Sequence, residues 1–296
     1  MIKKATTLEE QVALLRNRGV EITDEGKARE CLLDIGYYRL GSYLFPFEKT
    51  YPRHKNRTHE FIAGTRLADA VALYYFDFDL RNILNRYLSR IEVALKTYIT
   101  YTLSNKYKDS PTWFVDPGVM TDSYVRHFDK VYAEIKKSPV IQRHHKKYPA
   151  DRYAPAWKTI EYMTFGNLER LYINLKDPLD KQEISRKFGV KRIKIFENYL
   201  VALLALRNLC AHNGVLFDLR LTRSLKSGPA GTFTRNNDYC LSSVLKVVEY
   251  ILRLISVNRL EEMKLTISDV LHILISKYPQ ADTLLKKTAG LLQDKK

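Results

Sequence analysis

Arg207, Asn208 and His212 close a strongly apolar run, and together they supply a fixed cation, an amide and a titratable imidazole. Arginine grips phosphoryl oxygens in a bidentate fork, and histidine titrates near neutral pH, so it serves as acid or base. Metal-independent cleavage of RNA requires these groups. A base takes the 2′-hydroxyl proton, an acid protonates the leaving 5′-oxygen, and a cation holds the charge building on phosphorus. Asn208 precedes His212 by one helical turn and is placed to fix the imidazole or to bind phosphate. One such helix supplies one histidine. Two chains paired about a two-fold axis would supply two, forming a composite site.

The element that must position these groups is a helix over 191–213. Two apolar stripes run along it. One follows Phe196, Leu200 and Leu203 onto Arg207, and the other follows Val201 and Ala205 onto Asn208 and His212. Both polar extensions are therefore expected on buried faces, where a guanidinium needs an acceptor. Gly214 is expected to cap the helix, placing the imidazole where the helix dipole favours its protonated form. Spacing alone allows a second reading, in which Arg207 is a structural cation paired with a core carboxylate such as Glu92.

The chain has 296 residues and a formal net charge of +16. Such a charge favours a polyanionic partner, nucleic acid or an anionic membrane surface. Twenty tyrosines are present, and Tyr37, Tyr38, Tyr148 and Tyr153 lie beside basic residues, where rings can stack on unpaired bases. Cys31, Cys210 and Cys240 are far apart and form no CxxC pair, which argues against a disulfide framework or a structural zinc and for a reducing compartment. No metal and no cofactor is expected. The N-terminus has no apolar signal core, and no run approaches the ~20 apolar residues a membrane span requires. A soluble cytoplasmic protein without a membrane partner is the expectation.

Nearly every periodic segment reads as helix, so the fold class is all-α. Residues 7–18 open with a Thr7–Glu10 capping box, and 24–35 form a second helix closed by Gly36. The aromatic segment 37–48 is the least helical part of the first third, and 49–59 is a basic loop. A long helix over 66–105, with Thr65 as its N-cap, has an apolar face through Val71, Tyr74, Phe78, Leu84, Leu88, Ile91, Leu95 and Tyr98. A polar stripe through Arg81, Asn85, Ser89, Glu92 and Lys96 reads as its solvated face. The densest basic segment, 136–152, reads as a polar loop presenting Arg143, Lys146, Lys147, Tyr148 and Arg152 to RNA. Further helices are expected at 122–137, 156–175, 179–188, 239–257 and 265–276, with a turn-rich linker at 227–238 and a polar tail. Three successive segments are expected: an N-terminal module (1–62), a helical core (63–225) and a C-terminal extension (226–296).

The stretches 35–47 (IGYYRLGSYLFPF), 73–81 (LYYFDFDLR), 91–97 (IEVALKT), 155–172 (PAWKTIEYMTFGNLERLY) and 207–218 (RNLCAHNGVLFD) occur in an order that resembles the Abi-like family of abortive-infection proteins, of AbiD/AbiF type, within the HEPN superfamily. The resemblance spans about residues 7 to 220 and implies a HEPN-like helical bundle. It implies that Arg207 and His212 are the catalytic pair, with Asn208 the usual polar second residue and Glu92 the acidic residue of the long helix. Two departures concern the lining of the site: Lys96 stands where the family often has arginine, and Gly214-Val215-Leu216-Phe217-Asp218 stands where the family commonly has a basic residue and a Trp-Asn pair. The resemblance further implies a homodimer and an endoribonuclease forming 2′,3′-cyclic phosphate ends, an RNA toxin in phage defence. For some AbiF-type members it also implies an associated noncoding RNA. The alternatives are an RNA-binding protein that keeps the fold without turnover, and a DNA-binding regulator using 179–199 as helix-turn-helix.

Overall fold

Every regular element in the computed structural model is helical; the structure describes residues 4–53, 55–235, 237–279, 281, 284 and 285. Among these, in chain order, are α1 (Leu8–Asn17), α2 (Glu25–Ile35), α3 (Tyr37–Leu44), α4 (Leu67–Lys106), α5 (Asp122–Ile135), α6 (Pro139–Lys147), α7 (Ala156–Thr159), α8 (Phe165–Ile173), α9 (Pro178–Lys187), α10 (Ile193–Ala211), α11 (Leu241–Ile255) and α12 (Val257–Lys277). Short 3-10 turns cover Phe45–Phe47, Trp113–Val115 and Ile160–Tyr162. The all-α class is as the periodicity required. Most of the polar C-terminal tail lies outside the described residues.

Local chemistry accounts for most boundaries. Thr7 and Glu10 form the reciprocal capping box at α1, and Asp24 caps α2. Gly36 ends α2 at φ 88°, and the segment expected to be the least helical of the first third turns directly into α3. Pro46 then tightens the chain into a 3-10 turn. Thr65 does not cap α4; its hydroxyl donates to the Ile62 carbonyl. The stretch 136–152 is not the polar loop expected. Pro139 occupies the first turn of α6, where its missing N–H costs nothing, so it starts a helix. The single helix expected over 156–175 is broken at Met163, whose extended backbone leads into the Thr164 cap of α8.

The described residues form two compact units, each drawn from several stretches of the chain. Unit 1 takes residues from 1–83, 213–219 and 264–296, and unit 2 takes 84–212 and 220–263. In unit 1 the buried face of α4 runs through Ala70, Leu73, Phe76 and Leu80, so the expected register was shifted here and Phe78 is exposed. The aromatic run around it is apolar on all sides, which leaves no clear periodic signal. Arg81 overturns the reading of its stripe as solvated, since it is 3% exposed. It pairs with Asp77 one turn earlier at 2.7 Å, and Asp77 is 0% exposed.

Asp77 is the polar centre of unit 1. It accepts from the Tyr43 hydroxyl at 2.9 Å and from the backbone N–H groups of Leu216 and Phe217 at 3.0 and 2.9 Å. Arg81 also donates to the Tyr43 oxygen at 3.1 Å and to the Gly214 carbonyl at 3.0 Å. Arg39 donates to the Asn213 carbonyl at 3.0 Å. The segment 213–217 is thus held by polar groups of α3 and α4 together with the burial of Leu216 and Phe217.

In unit 2, α10 is the central helix, packed by α8, α9 and α11. Its buried residues are Ile195, Phe196, Tyr199, Leu200, Ala202, Leu203, Leu206 and Cys210. Each fully buried leucine or phenylalanine of this set contributes roughly 1.5–3 kcal/mol. Phe196 stacks on Phe188 at 5.1 Å and meets Tyr172 edge-on at 5.2 Å. The turn between α9 and α10 needs glycine: Gly189 sits at φ 65°, and a Cβ there would collide with the Tyr250 hydroxyl. This packing also removes the helix-turn-helix reading, because the face a recognition helix would expose is core.

Candidate functional site

The last turns of α10 leave the core gradually. Leu206 and Cys210 are buried, Arg207 is half-buried, and Asn208, Ala211 and His212 are exposed. The stripe of Val201 and Ala205 that leads to Asn208 and His212 is therefore a part-exposed face, not a buried one. Gly214 is not the cap. His212 is the C-cap, with its N–H on the Asn208 carbonyl at 2.9 Å, and Asn213 takes the left-handed conformation at φ 55° that glycine usually supplies. Among the described residues, the side chains of Arg207, Asn208 and His212 have no hydrogen-bond or ion-pair partner. A cation, an amide and an imidazole thus stand ready at one helix end.

Glu92 is not the partner of Arg207. It pairs with Lys96 one turn on, at 3.3 Å, and Lys96 also donates to the Glu161 carbonyl at 2.8 Å. Glu161 lies in the 3-10 turn that precedes α8, and Gly166 in the first turn of α8 faces Leu204 of α10, with 3.7 Å left for a Cβ. The supporting pair therefore abuts the segment leading into the helix that packs on α10. No direct bond joins Glu92 or Lys96 to Arg207 or His212 among the described residues.

The RNA-binding residues expected from sequence divide. Arg143, Lys146 and Lys147 are exposed on α6, and none has an ion-pair partner among the described residues. Tyr148 is 44% exposed, with the Lys147 ammonium 5.3 Å from its ring centre. Arg152 instead pairs with Asp129 at 2.7 Å. Tyr153 donates to Asp129 at 2.6 Å and packs against Phe114, Phe128 and Tyr132, so its ring is committed to the core edge rather than to bases. Sequence reasoning missed what anchors α6. His144 is buried and His145 meets the Tyr132 hydroxyl at 2.8 Å, so two members of a basic run serve as packing groups. His144 Nε2 lies 3.1 Å from an Asp151 oxygen, but without hydrogen-bond alignment. Burial holds the His145 imidazole below its ordinary range, favouring the neutral ring.

A measurable difference follows from this division. Replacing Arg143, Lys146 and Lys147 with glutamine removes three uncommitted cations. The slope of log affinity against log salt for single-stranded RNA is expected to flatten by about 2, at about 0.7 per contact. Arg152→Gln is expected to leave the slope nearly unchanged. Equal effects from the two variants would place the RNA path elsewhere.

Asp77, Arg81 and Tyr43 were also missed as structural anchors. A signal existed: an acid and a base four residues apart inside an aromatic run. Among the described residues, no group of three or more histidine, cysteine, aspartate and glutamate side chains is arranged to hold a metal ion, and no disulfide joins Cys31, Cys210 and Cys240. No helix there is long and apolar enough to cross a membrane.

Residues 30–218 match the Abi-like protein family. The chain belongs to that family. The matched stretch contains the end of α10, the Glu92–Lys96 pair, α6 and the Asp77 cluster. No curated protein and no solved structure matches the chain. Membership links this Abi-like protein to abortive infection, a form of phage defence.

Proposed function

We propose that this Abi-like protein is a metal-independent endoribonuclease of HEPN type, an RNA toxin acting in abortive infection. One observation carries the reading. Half-buried Arg207 and exposed His212 stand at the end of a helix whose preceding turns pack into the core, and among the described residues neither has an ion-pair partner. No ion pair or hydrogen bond among the described residues gives these two side chains a structural role there, whereas both are needed at a scissile phosphate.

In the proposed reaction the 2′-hydroxyl gives up its proton to a base and its oxygen attacks phosphorus. The bond from phosphorus to the 5′-oxygen breaks, and an acid protonates that oxygen. The products are a 2′,3′-cyclic phosphate and a free 5′-hydroxyl. Arg207 neutralises the non-bridging oxygens, and Asn208 orients the ring or the phosphate. His212 is one of the two proton carriers. A homodimer brings the second histidine from the partner subunit, and the free cations of α6 hold the strand. These cations also suit a tightly bound noncoding RNA. They equally favour a second reading, a cytoplasmic RNA-binding protein without turnover.

Arg207→Ala tests the choice. With no partner to orphan, the variant is expected to remain within about 1 kcal/mol of the parent in chemical denaturation. Cleavage of a mixed RNA pool in EDTA, and the cyclic phosphate ends of the products, are expected to disappear. Retained activity would overturn the proposal. Parent and variant that both bind RNA and both leave it intact would establish the second reading.

A further inference from the structure

Unit 1 contains a cavity of about 410 Å³, within the range of roughly 300–1,000 Å³ typical of small-molecule sites. Leu15, Leu40, Leu44, Phe45, Phe61 and Val215 give it apolar walls. Its charged lining sets Arg18, Arg57 and His59 against Glu48 and Asp218. Arg18 donates to the Tyr37 hydroxyl at 2.9 Å and has no carboxylate partner among the described residues. Arg57 lies over the Phe45 ring at 4.3 Å and grips Glu48 through two nitrogens, while His59 Nδ1 stands 3.2 Å from the same carboxylate. Glu48 is thereby neutralised and Asp218 accepts from the Tyr51 hydroxyl at 3.1 Å, so neither carboxylate is ion-paired with Arg18.

Two backbone features mark this space. Gly41 lines the cavity from within α3, in ordinary helical conformation, and nothing lies within 4 Å of where its Cβ would be. Helix-interior glycine is less stable than alanine, and no backbone strain requires it here. His59 holds a left-handed backbone at φ 57°, a strained state for a non-glycine residue that clusters at ligand sites. Tyr38, on the same rim, is 94% exposed, an aromatic face that packs on almost nothing.

We propose that this cavity binds a nucleotide, with the phosphate on Arg18 and the base against the aromatic rim. A bare anion would not need the apolar walls, and a purely apolar ligand would not need the cation. A nucleoside phosphate uses both, and its ring can stack on a tyrosine. The site lies wholly within unit 1 and stands whether or not Arg207 and His212 cleave RNA.

Calorimetric titration of the full chain tests it, using AMP and UMP, with adenosine and inorganic phosphate alongside, and a 5′-phosphorylated RNA hexamer as the strand-borne source. Saturation at one nucleotide per chain is expected. Arg18→Gln is expected to weaken it about tenfold or more, the equivalent of one charge-assisted hydrogen bond. Gly41→Leu fills the cavity and is expected to abolish binding with an unchanged or higher melting temperature. Binding of the hexamer alone, lost on Gly41→Leu, would support the site and assign the nucleotide to a strand. Absence of saturation by any nucleotide probe would overturn the proposal, as would adenosine binding as tightly as AMP. Binding left unchanged by Gly41→Leu would do the same. Should that variant fail to fold, an undiminished affinity in Arg18→Gln is the overturning result.

Discussion

Asp77→Ala is expected to destabilise the protein by about 3–5 kcal/mol, the range seen when one partner of a buried ion pair is removed. The loss has three sources on one carboxylate: Arg81 is left charged and buried, the Tyr43 hydroxyl loses its acceptor, and the Leu216 and Phe217 N–H groups are orphaned. Urea denaturation of parent and variant measures it, and a change below about 1 kcal/mol would mean that water satisfies these groups. The same carboxylate has a pH signature. Burial pushes its pKa up to about 6, against the opposing pull of the Leu216 N–H, Arg81 and Tyr43. Because the folded value lies above the ordinary one near 3.9, the folded state holds this proton more tightly. The resulting stability is fully present below about pH 4 and is lost as pH rises through about 6. Asp77→Asn is therefore expected to remove a component of the stability profile that falls between those limits.

His212→Ala carries the largest expected effect on activity, about 10²–10⁴-fold in cleavage rate, as for loss of a general acid or base. The imidazole is exposed and forms no bond within the described residues, so stability and RNA affinity should be nearly unchanged. That separation is what a structural histidine could not produce. Single-turnover cleavage with the variant in excess over RNA reads the chemical step directly. A rate equal to the parent's would remove His212 from the mechanism, and an equal fall in RNA affinity would make it a binding group instead.

How far the sequence could be read depended on whether the deciding partner was local. The capping box of α1 was legible because Thr7 and Glu10 are three residues apart. The end of α10 was legible because polar groups interrupt an apolar helix, although their burial was misjudged. Arg81 was not legible as a core residue. A cation on a helix stripe looks alike whether it meets water or the Gly214 carbonyl, which arrives 133 residues later. The partner of Arg152 and Tyr153 was hidden for the same reason, since Asp129 lies more than 20 residues upstream. Pro139 misled in another way, because proline breaks a helix interior but suits its first turn.

The placement of Arg207 and His212 on α10 ties two requirements to one count of residues. A single insertion upstream of Leu206 would turn everything after it by about 100° around the helix axis. Leu206 and Cys210 would leave the interior in the same step that swung Arg207 away from its present face. Reactive groups on a surface loop can drift as the loop lengthens or shortens. Here deletions and insertions are closed to both core and site together, and change is confined to swapping one side chain for another in place.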